Sequence, residues 1–193
     1  MSIADEVFAI FERRGAGAYF GERVSMTEHA LQAAYFASQE SAPAVLVLAA
    51  LLHDIGHLIE AVPDELADWS ADARHEETGA RWLALRFRTE VSEPVRLHVP
   101  AKRYLCATDP NYVAMLSHAS LVTLKLQGGP MAHSESLQFE TEGFYREAIR
   151  LRRWDDQGKV AGLKTPGLAE YRGLIAEFAL SEPGYDEIEQ PGP

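Results

Sequence analysis

The stretch that most constrains the fold is AALLHDIGHLIE at residues 49–60, where three ionisable side chains interrupt an apolar run. They are His53, Asp54 and His57, and the surrounding composition predicts a buried helix. Burying a polar or charged group without a partner is unfavourable by a few kcal/mol. The run therefore predicts a compensating hydrogen-bond network, a metal site or a solvent-filled cleft around these side chains.

Helical spacing of apolar residues recurs along most of the chain, and strand-like alternation never extends beyond a few residues. The glycine-rich stretch RRGAGAYFGE ends the first predicted helix and forms a loop that carries Tyr19 and Glu22. A second helix is predicted over about residues 26–40, and Pro43 opens a third that ends near Glu60. The fold class indicated is all-α, a single helical bundle.

The second half of the chain continues this pattern. After the acidic stretch AVPDELADWSADAR, an amphipathic helix is predicted to begin at His75, and Pro94 to occupy the first turn of the next one. The stretches TDPNYVAMLSHASLVTLKLQ, ESLQFETEGFYREAIRLRRWDD and TPGLAEYRGLIAEFAL are predicted to be helical. We expect one domain over residues 1–180 and a loosely ordered polar tail at 181–193.

Charge and cysteine content exclude several classes of partner and site. The net charge of -11, from 18 basic and 29 acidic side chains, disfavours binding to nucleic acid. A single cysteine, Cys106, excludes an intrachain disulfide and a cysteine-based zinc site. The amino-terminal stretch resembles neither a signal peptide nor a membrane span, so we expect a cytoplasmic protein. The sequence indicates no oligomeric state.

Four of the seven histidines, His29, His53, His75 and His98, are distributed over four predicted helices. A metal site in the core of a helical bundle requires such a distribution, because its ligands project inward from facing helices. His53 is followed by Asp54, and such a pair can serve two ions if the carboxylate bridges them. Mixed nitrogen and oxygen ligation suits iron, manganese, cobalt or zinc.

Five motifs follow one another in the order EHALQ, LLHDIGH, RHEETGA, LHVPAKRYL and RRWDDQGKV. As a set they resemble the HD-domain superfamily, and within it the mixed-valent diiron oxygenases that act on hydroxylated aminophosphonates. The likeness extends over about residues 15–175. HVPAKRYL, LQGGPM and RRWDDQGK are more specific than the His-Asp pair alone.

The resemblance implies two iron ions in an Fe(II)/Fe(III) pair. The ligands implied for one ion are His29, His53, Asp54 and Asp155, and those for the other are His75, His98 and the bridging Asp54. Asp155 is preferred over Asp156 because it precedes Lys159 by four residues, the spacing of the family's last ligand from the lysine of this motif.

The resemblance also implies residues that contact substrate or take part in catalysis. Tyr19 would occupy an iron position until substrate displaces it, and Glu22 would face the nitrogen group of the substrate. The phosphonate would be held by His57, Lys102, Ser120 and Thr123. Lys102 would supply the fixed cation that a dianion needs, and Arg152 or Arg153 could add to it.

The activity implied is O2-dependent cleavage of a C–P bond in a small hydroxylated aminophosphonate. We favour 1-hydroxy-2-(trimethylammonio)ethylphosphonate, giving glycine betaine and phosphate, over the primary amine 2-amino-1-hydroxyethylphosphonate, giving glycine. Trp69 in the acidic loop PDELADWSAD, together with Tyr19 and Phe20, would suit a quaternary ammonium group. Two other classes remain open, a metal-dependent phosphohydrolase and a non-catalytic module that senses a nucleotide or phosphonate.

Ordinary structural roles are the alternatives for single residues. His53 and Asp54 could form a buried structural pair, and Asp155 could be a helix cap. Tyr19 could be a core aromatic residue and Lys102 a surface lysine. Ser120 and Thr123 could be hydroxyls on a helix face. No role is predicted for His118 or His133.

Overall fold

The computed structural model describes residues 1–19, 21–59 and 74–180. Within these ranges the chain forms α-helices, one short 3-10 helix and two isolated β-bridges, and no strand. The all-α prediction is confirmed. The expectations for Phe20, for the loop that carries Trp69 and for the tail at 181–193 lie outside the described residues.

The helices are labelled here in chain order. They are α1 Ile3–Arg14, α2 Met26–Gln39, α3 Ala44–Leu52, α4 Ile55–Ile59, α5 His75–Ala84, α6 Thr89–Thr108, α7 Tyr112–Met115, α8 His118–Leu126, α9 His133–Phe139, α10 Tyr145–Gln157, the 3-10 helix Leu168–Tyr171, and α11 Arg172–Phe178. Ser25 caps α2, because its hydroxyl accepts the backbone N–H of Glu28 while the Glu28 carboxylate accepts that of Ser25. None of the described helices has the length and apolar character that crossing a bilayer requires.

The central element is α3, whose sequence AVLVLAALL is apolar around its whole circumference. Such a helix is stable in water only when other elements surround it. Its residues 46–52 are buried, and α2, α6 and α10 pack against it. The carboxyl end of α3 therefore lies in the core, and any polar group placed there is shielded from solvent.

The apolar chain around His53 and Asp54 forms two helices rather than one. The predicted helix from Pro43 to Glu60 is interrupted at His53 and Asp54, between α3 and α4. The Nδ1–H of His53 donates to the Ala50 carbonyl at 2.8 Å. A continuous helix would use that carbonyl for the backbone N–H of Asp54. The side-chain bond thus accompanies the local break and directs both residues inward.

Other predicted boundaries were wrong as well. The stretch from residue 135 to 156, predicted to be helical, is divided at residues 140–144 between α9 and α10. Pro94 lies inside α6, which begins at Thr89. An interior proline is unfavourable by about 3 kcal/mol in an isolated helix, but α6 packs against α3, α5 and α10, and this burial offsets the loss. The stretch from residue 108 to 127 is divided by the extended residue Leu116, after which Ser117 caps α8.

A glycine contact sets the spacing of α4 and α5. A methyl group on Gly56 would lie 2.0 Å from the His75 carbonyl oxygen and 3.0 Å from the backbone nitrogen of Gly79. Real side chains do not approach a backbone this closely, so the two helices can cross at this distance only with glycine at position 56. The contact places the first residue of α5 directly against the His-Asp junction.

Candidate metal centre and anion pocket

All six residues predicted as metal ligands meet in the core, although they come from five separate parts of the chain. They are His29 on α2, His53 and Asp54 between α3 and α4, His75 at the start of α5, His98 on α6 and Asp155 on α10. Each has at most 7% of its surface exposed. Their roles as ligands stay predictions, but the structure brings their donor atoms together.

The first group of donor atoms contains two imidazoles and two carboxylates. Nε2 of His29 lies 3.0 Å from Nε2 of His53. Oδ2 of Asp54 lies 3.5 Å from the first of these nitrogens and 3.4 Å from the second. Oδ1 of Asp155 lies 3.4 Å from the His29 nitrogen and 3.9 Å from that of His53.

The second group contains His75 and His98, whose Nε2 atoms lie 3.2 Å apart. The other carboxylate oxygen of Asp54, Oδ1, lies 3.3 Å from the His75 nitrogen and 3.6 Å from that of His98. Asp54 therefore presents one oxygen to each pair of imidazoles. A carboxylate placed in this way could bridge two ions.

The orientation of the imidazole rings fits bound cations. Nδ1 of His29, His53 and His98 lies 2.9, 2.8 and 2.7 Å from the carbonyl oxygens of Gly158, Ala50 and Val95. Because a carbonyl can only accept, each Nδ1 carries a proton, and a neutral ring then directs the lone pair of Nε2 into the centre. Facing lone pairs at such short distances repel unless a proton or a metal ion lies between them.

The separations between donor atoms also match those of ligands on one ion. Neighbouring ligands at about 2.1 Å from a metal lie roughly 3 Å apart. Each trio, His29 with His53 and Asp54 and Asp54 with His75 and His98, has its donor atoms within 4.8 Å of one another. Oδ2 of Asp54 and Oδ1 of Asp155 are buried and accept no hydrogen bond from the described residues. The cluster therefore has the composition and geometry of a metal centre.

Electrostatics keep Asp54 and His98 in the form that binds metal, whereas His29 carries a proton in the metal-free protein. Burial acts to raise the pKa of Asp54, but His53, His29 and His75 outweigh it and hold that pKa well below its usual value. Burial and the neighbouring His75 lower the pKa of His98 to about 3, so its ring is neutral. For His29, burial opposes protonation, yet the Asp155 and Asp54 carboxylates raise the pKa to about 9. A proton can thus take the place of the ion there.

Tyr19 and Glu22 lie in the predicted loop beside the first group. The Tyr19 ring stacks on His29, with centroids 3.8 Å apart and an interplanar angle of 19°. Burial, together with Asp54 and Asp155, raises the pKa of Tyr19 well above its usual value, so it stays a phenol. The Glu22 backbone N–H donates to the Tyr19 carbonyl at 2.7 Å. Oε1 of Glu22 is buried and accepts no hydrogen bond from the described residues.

Three of the residues predicted to hold the phosphonate, Lys102, Ser120 and Thr123, come together with Lys159 in what we call the anion pocket. Lys102, only 2% exposed, donates to the Thr123 hydroxyl at 2.9 Å. Lys159 donates to the Ser120 hydroxyl at 2.9 Å. Lys102 is therefore not a surface lysine. The two hydroxyls lie one turn apart on α8, so both ammonium groups meet at one helical face.

His57, the fourth residue predicted to hold the phosphonate, lies against the second group of donors, because its ring stacks on His75 with centroids 3.9 Å apart. Burial and the adjacent His75 lower the pKa of His57 well below its usual value. His57 is therefore neutral in the metal-free protein.

Lys159 was not predicted as a site residue from the sequence, where it served only to choose Asp155 over Asp156. Its Nζ lies 5.9 Å from the centroid of the Tyr19 ring, so it faces both the metal centre and the anion pocket. The side-chain amide of Gln32 donates to the Val160 carbonyl and accepts the Val160 N–H, each at 2.9 Å. The spacing of four residues after Asp155, within the RRWDDQGK motif, was the available signal.

The two arginines suggested as extra phosphonate contacts have acidic partners instead. Nη1 of Arg152 lies 2.7 Å from Oδ2 of Asp155. Arg153 is partly exposed and pairs with Asp109 at 3.1 Å. The structure also places Asp155 inside α10 with 2% exposure, which is not the position of a helix cap.

Comparisons with known proteins agree with this geometry. The HD domain family model matches residues 21–123. Over 166 residues the chain is 46% identical to a hydroxymethylphosphonate dioxygenase of Gimesia maris, covering 86% of this chain and 82% of that protein. Over 174 residues it is 44% identical to the glycine-betaine-forming [1-hydroxy-2-(trimethylamino)ethyl]phosphonate dioxygenase of Leisingera caerulea, covering 90% and 89%.

The matched range of the family model contains the His-Asp pair, the three dispersed histidines and both hydroxyls of the anion pocket, but ends before Asp155 and Lys159. The two dioxygenases extend the similarity over most of the chain, so it is not confined to the shared HD core. By its helical fold, its buried His/Asp cluster and these matches, the chain belongs to the HD-domain family.

Proposed function

We propose that this protein is an iron-dependent dioxygenase that cleaves the C–P bond of a 1-hydroxyphosphonate. The observation that carries the proposal is the placement of Asp54, whose two carboxylate oxygens face two separate histidine pairs beside a pocket that contains the buried Lys102 and the partly buried Lys159. These groups would supply ligands for two ions, and the pocket suits a dianion. The names of the two similar dioxygenases support the same chemistry.

The favoured substrate is 1-hydroxy-2-(trimethylammonio)ethylphosphonate. Its reaction with one O2 gives glycine betaine, hydrogen phosphate and one proton, which balances atoms and charge. The C–P bond and the C–H bond at the hydroxylated carbon are broken, and both oxygen atoms of O2 end in the products. The two iron ions, when bound, would activate O2 and relay to it the electrons that the substrate gives up.

The residues of the chain would bind and orient this substrate. Lys102 and Lys159 would neutralise the phosphonate, and the hydroxyls of Ser120 and Thr123 would turn from the lysines to donate to its oxygens. His57 is neutral and stacks on His75, so its ring could donate one N–H to the phosphonate. Lys102 and Ser120 are buried, and this shielding from water would strengthen their charge contacts with the phosphonate.

Glu22 supports a cationic substituent on the substrate. A buried carboxylate oxygen that accepts no hydrogen bond is unfavourable, and an ammonium or trimethylammonium group close to it would relieve that cost. Hydroxymethylphosphonate, the substrate named for the Gimesia maris relative, has no such group. The similarity to that relative makes hydroxymethylphosphonate the second candidate, and the Glu22 environment favours the trimethylammonium compound over it.

The test is an anaerobic and an aerobic assay of phosphate release by the iron-loaded protein. We expect phosphate and glycine betaine only when O2 is present, with the highest kcat/KM for the trimethylammonium substrate. The primary amine and hydroxymethylphosphonate are assayed in parallel. Release of phosphate without O2, or from a phosphate monoester, would favour the phosphohydrolase class and refute the proposal.

A substitution at position 22 separates the candidate substrates. Glu22→Gln removes the negative charge at nearly constant shape, so kcat/KM for both cationic substrates should fall. The value for hydroxymethylphosphonate should change little, because that molecule offers no cation to position 22. If kcat/KM fell equally for all three compounds, Glu22 would not recognise the nitrogen group.

A further inference from the structure

The guanidinium of Arg152 is buried one turn before Asp155 on α10, with 4% of the residue exposed. Its Nη1 contacts Oδ2 of Asp155 at 2.7 Å. Its Nε lies 3.1 Å from the Tyr112 hydroxyl and 3.2 Å from Oδ2 of Asp156, and its Nη2 bonds Oδ1 of the same carboxylate. All three nitrogens of the group are therefore engaged with acceptors.

In this network the two carboxylate oxygens of Asp155 have different partners. Oδ2 is bound by the guanidinium, whereas Oδ1 accepts no hydrogen bond from the described residues and faces the nitrogens of His29 and His53. A carboxylate free to rotate can present both oxygens to one cation. The bond to Arg152 opposes that rotation, because turning the carboxylate would leave a buried guanidinium N–H without its partner.

We propose that Arg152 is a positioning residue that restricts Asp155 to one ligand oxygen on the ion held by His29 and His53, and that Asp156 and Tyr112 fix the guanidinium for this purpose. The inference rests on the metal assignment made for the proposed function. Its consequence is an asymmetric centre, because one ion receives a carboxylate held by an arginine while the ion at His75 and His98 does not.

The chemistry of the side chain explains why an arginine is needed. The planar guanidinium carries five N–H donors in a fixed fork, so it can hold the Asp156 carboxylate with one edge and Asp155 with the remaining amino group. A lysine carries the same charge on a single point and cannot satisfy both carboxylates in one plane. Tyr112, which is 1% exposed and donates to Oδ2 of Asp156, supports the far side of this fork.

A solely structural role makes a different prediction from a positioning role. If Arg152 only joined α10 to α7, its substitution would lower the stability of the metal-free protein and reduce the affinity for both ions by the same factor. If Arg152 positions Asp155, the affinity for the ion held by His29 and His53 should fall, and the affinity for the other ion should not change. Partners of metal ligands commonly change metal affinity by about 10- to 100-fold when they are replaced.

The experiment uses the full chain, stripped of metal and titrated anaerobically with Mn(II), with free Mn(II) measured by electron paramagnetic resonance. Arg152→Lys should weaken one of the two binding steps about 10- to 100-fold and leave the other unchanged. Tyr112→Phe should produce a smaller loss in the same step, since it keeps Arg152 and both carboxylates. Arg153→Lys, on the exposed face of the same helix, is the matched control and should bind as the parent does.

A second readout examines the iron-loaded protein. The resonance signal of its Fe(II)/Fe(III) pair should change shape in Arg152→Lys and stay unchanged in Arg153→Lys. The inference would be overturned if Arg152→Lys and Tyr112→Phe both kept the two binding steps and the resonance signal of the parent. It would also be overturned if the affinity for both ions fell equally. Failure of the parent chain itself to bind two ions would refute the dinuclear assignment instead.

Discussion

Gly56→Ala examines whether the close crossing of α4 and α5 holds the metal centre in shape. The added methyl group would lie 2.0 Å from the His75 carbonyl oxygen and 2.8 Å from its carbonyl carbon, whereas ordinary contact begins at 3.4 Å. Both atoms belong to the backbone, so no side-chain rotation can relieve the overlap. The two helices must separate by more than an ångström, and His75 must move with α5.

The free-energy change can be bounded from known packing effects. Overpacking a core typically lowers the free energy of unfolding by about 1–3 kcal/mol, and the better helix propensity of alanine returns up to about 1 kcal/mol. For a chain of this size, 1 kcal/mol corresponds to roughly 2–4 °C in Tm. We therefore expect the Tm of the metal-free variant to fall by several degrees.

The assay is thermal unfolding of the metal-free and metal-loaded protein, followed by titration with Mn(II). Because the displacement acts on His75, the affinity for the ion at His75 and His98 should fall more than the affinity for the ion at His29 and His53. Gly173→Ala in α11 is the matched control, since nothing lies within 4 Å of its added methyl group. An unchanged Tm and unchanged metal affinity in Gly56→Ala would refute the reasoning, whatever the control shows.

Three further predictions follow from the centre and its pocket. Asp54→Ala should abolish binding of the two ions as a pair, measured as metal equivalents per chain, and retention of both ions with normal activity would contradict its bridging role. Lys102→Ala and Lys159→Ala should each raise KM for the phosphonate by an amount equivalent to about 2–5 kcal/mol. Lys125→Ala, at an exposed position, is the control and should leave KM unchanged. If a pocket variant had the KM of the parent, its lysine would not bind the phosphonate. Removal of metal with a chelator should lower Tm, because ions that bind only the folded state stabilise it, and an unchanged Tm would indicate that the cluster binds no ion.

Much of the candidate centre was predictable because metal ligation demands specific residue types. The helical pattern predicted which segments carry His29, His75 and His98, and the motif order indicated that they converge. The choice of Asp155 over Asp156 came from the spacing to Lys159, and the structure places the Asp155 oxygen beside His29. Periodicity alone could not have distinguished two adjacent carboxylates.

Other features depend on contacts between distant parts of the chain and left little trace in local pattern. The break at His53 involves a side-chain bond to the Ala50 carbonyl that helical propensity does not register. Pro94 is a helix breaker by local rules, yet the packing of α6 against three helices outweighs that preference. The partner of Arg152 was misjudged, because charge alone does not reveal which acid an arginine contacts.

The bonds from α2 to residues 158–160 have a practical consequence. His29 contacts the Gly158 carbonyl and Gln32 holds both backbone groups of Val160, so the main chain on each side of Lys159 is held while the Val160 side chain is 47% exposed. A fluorophore or spin label attached there through a cysteine would occupy solvent without disturbing those bonds. Position 160 thus offers an attachment point from which substrate arrival at the neighbouring lysine could be followed in real time.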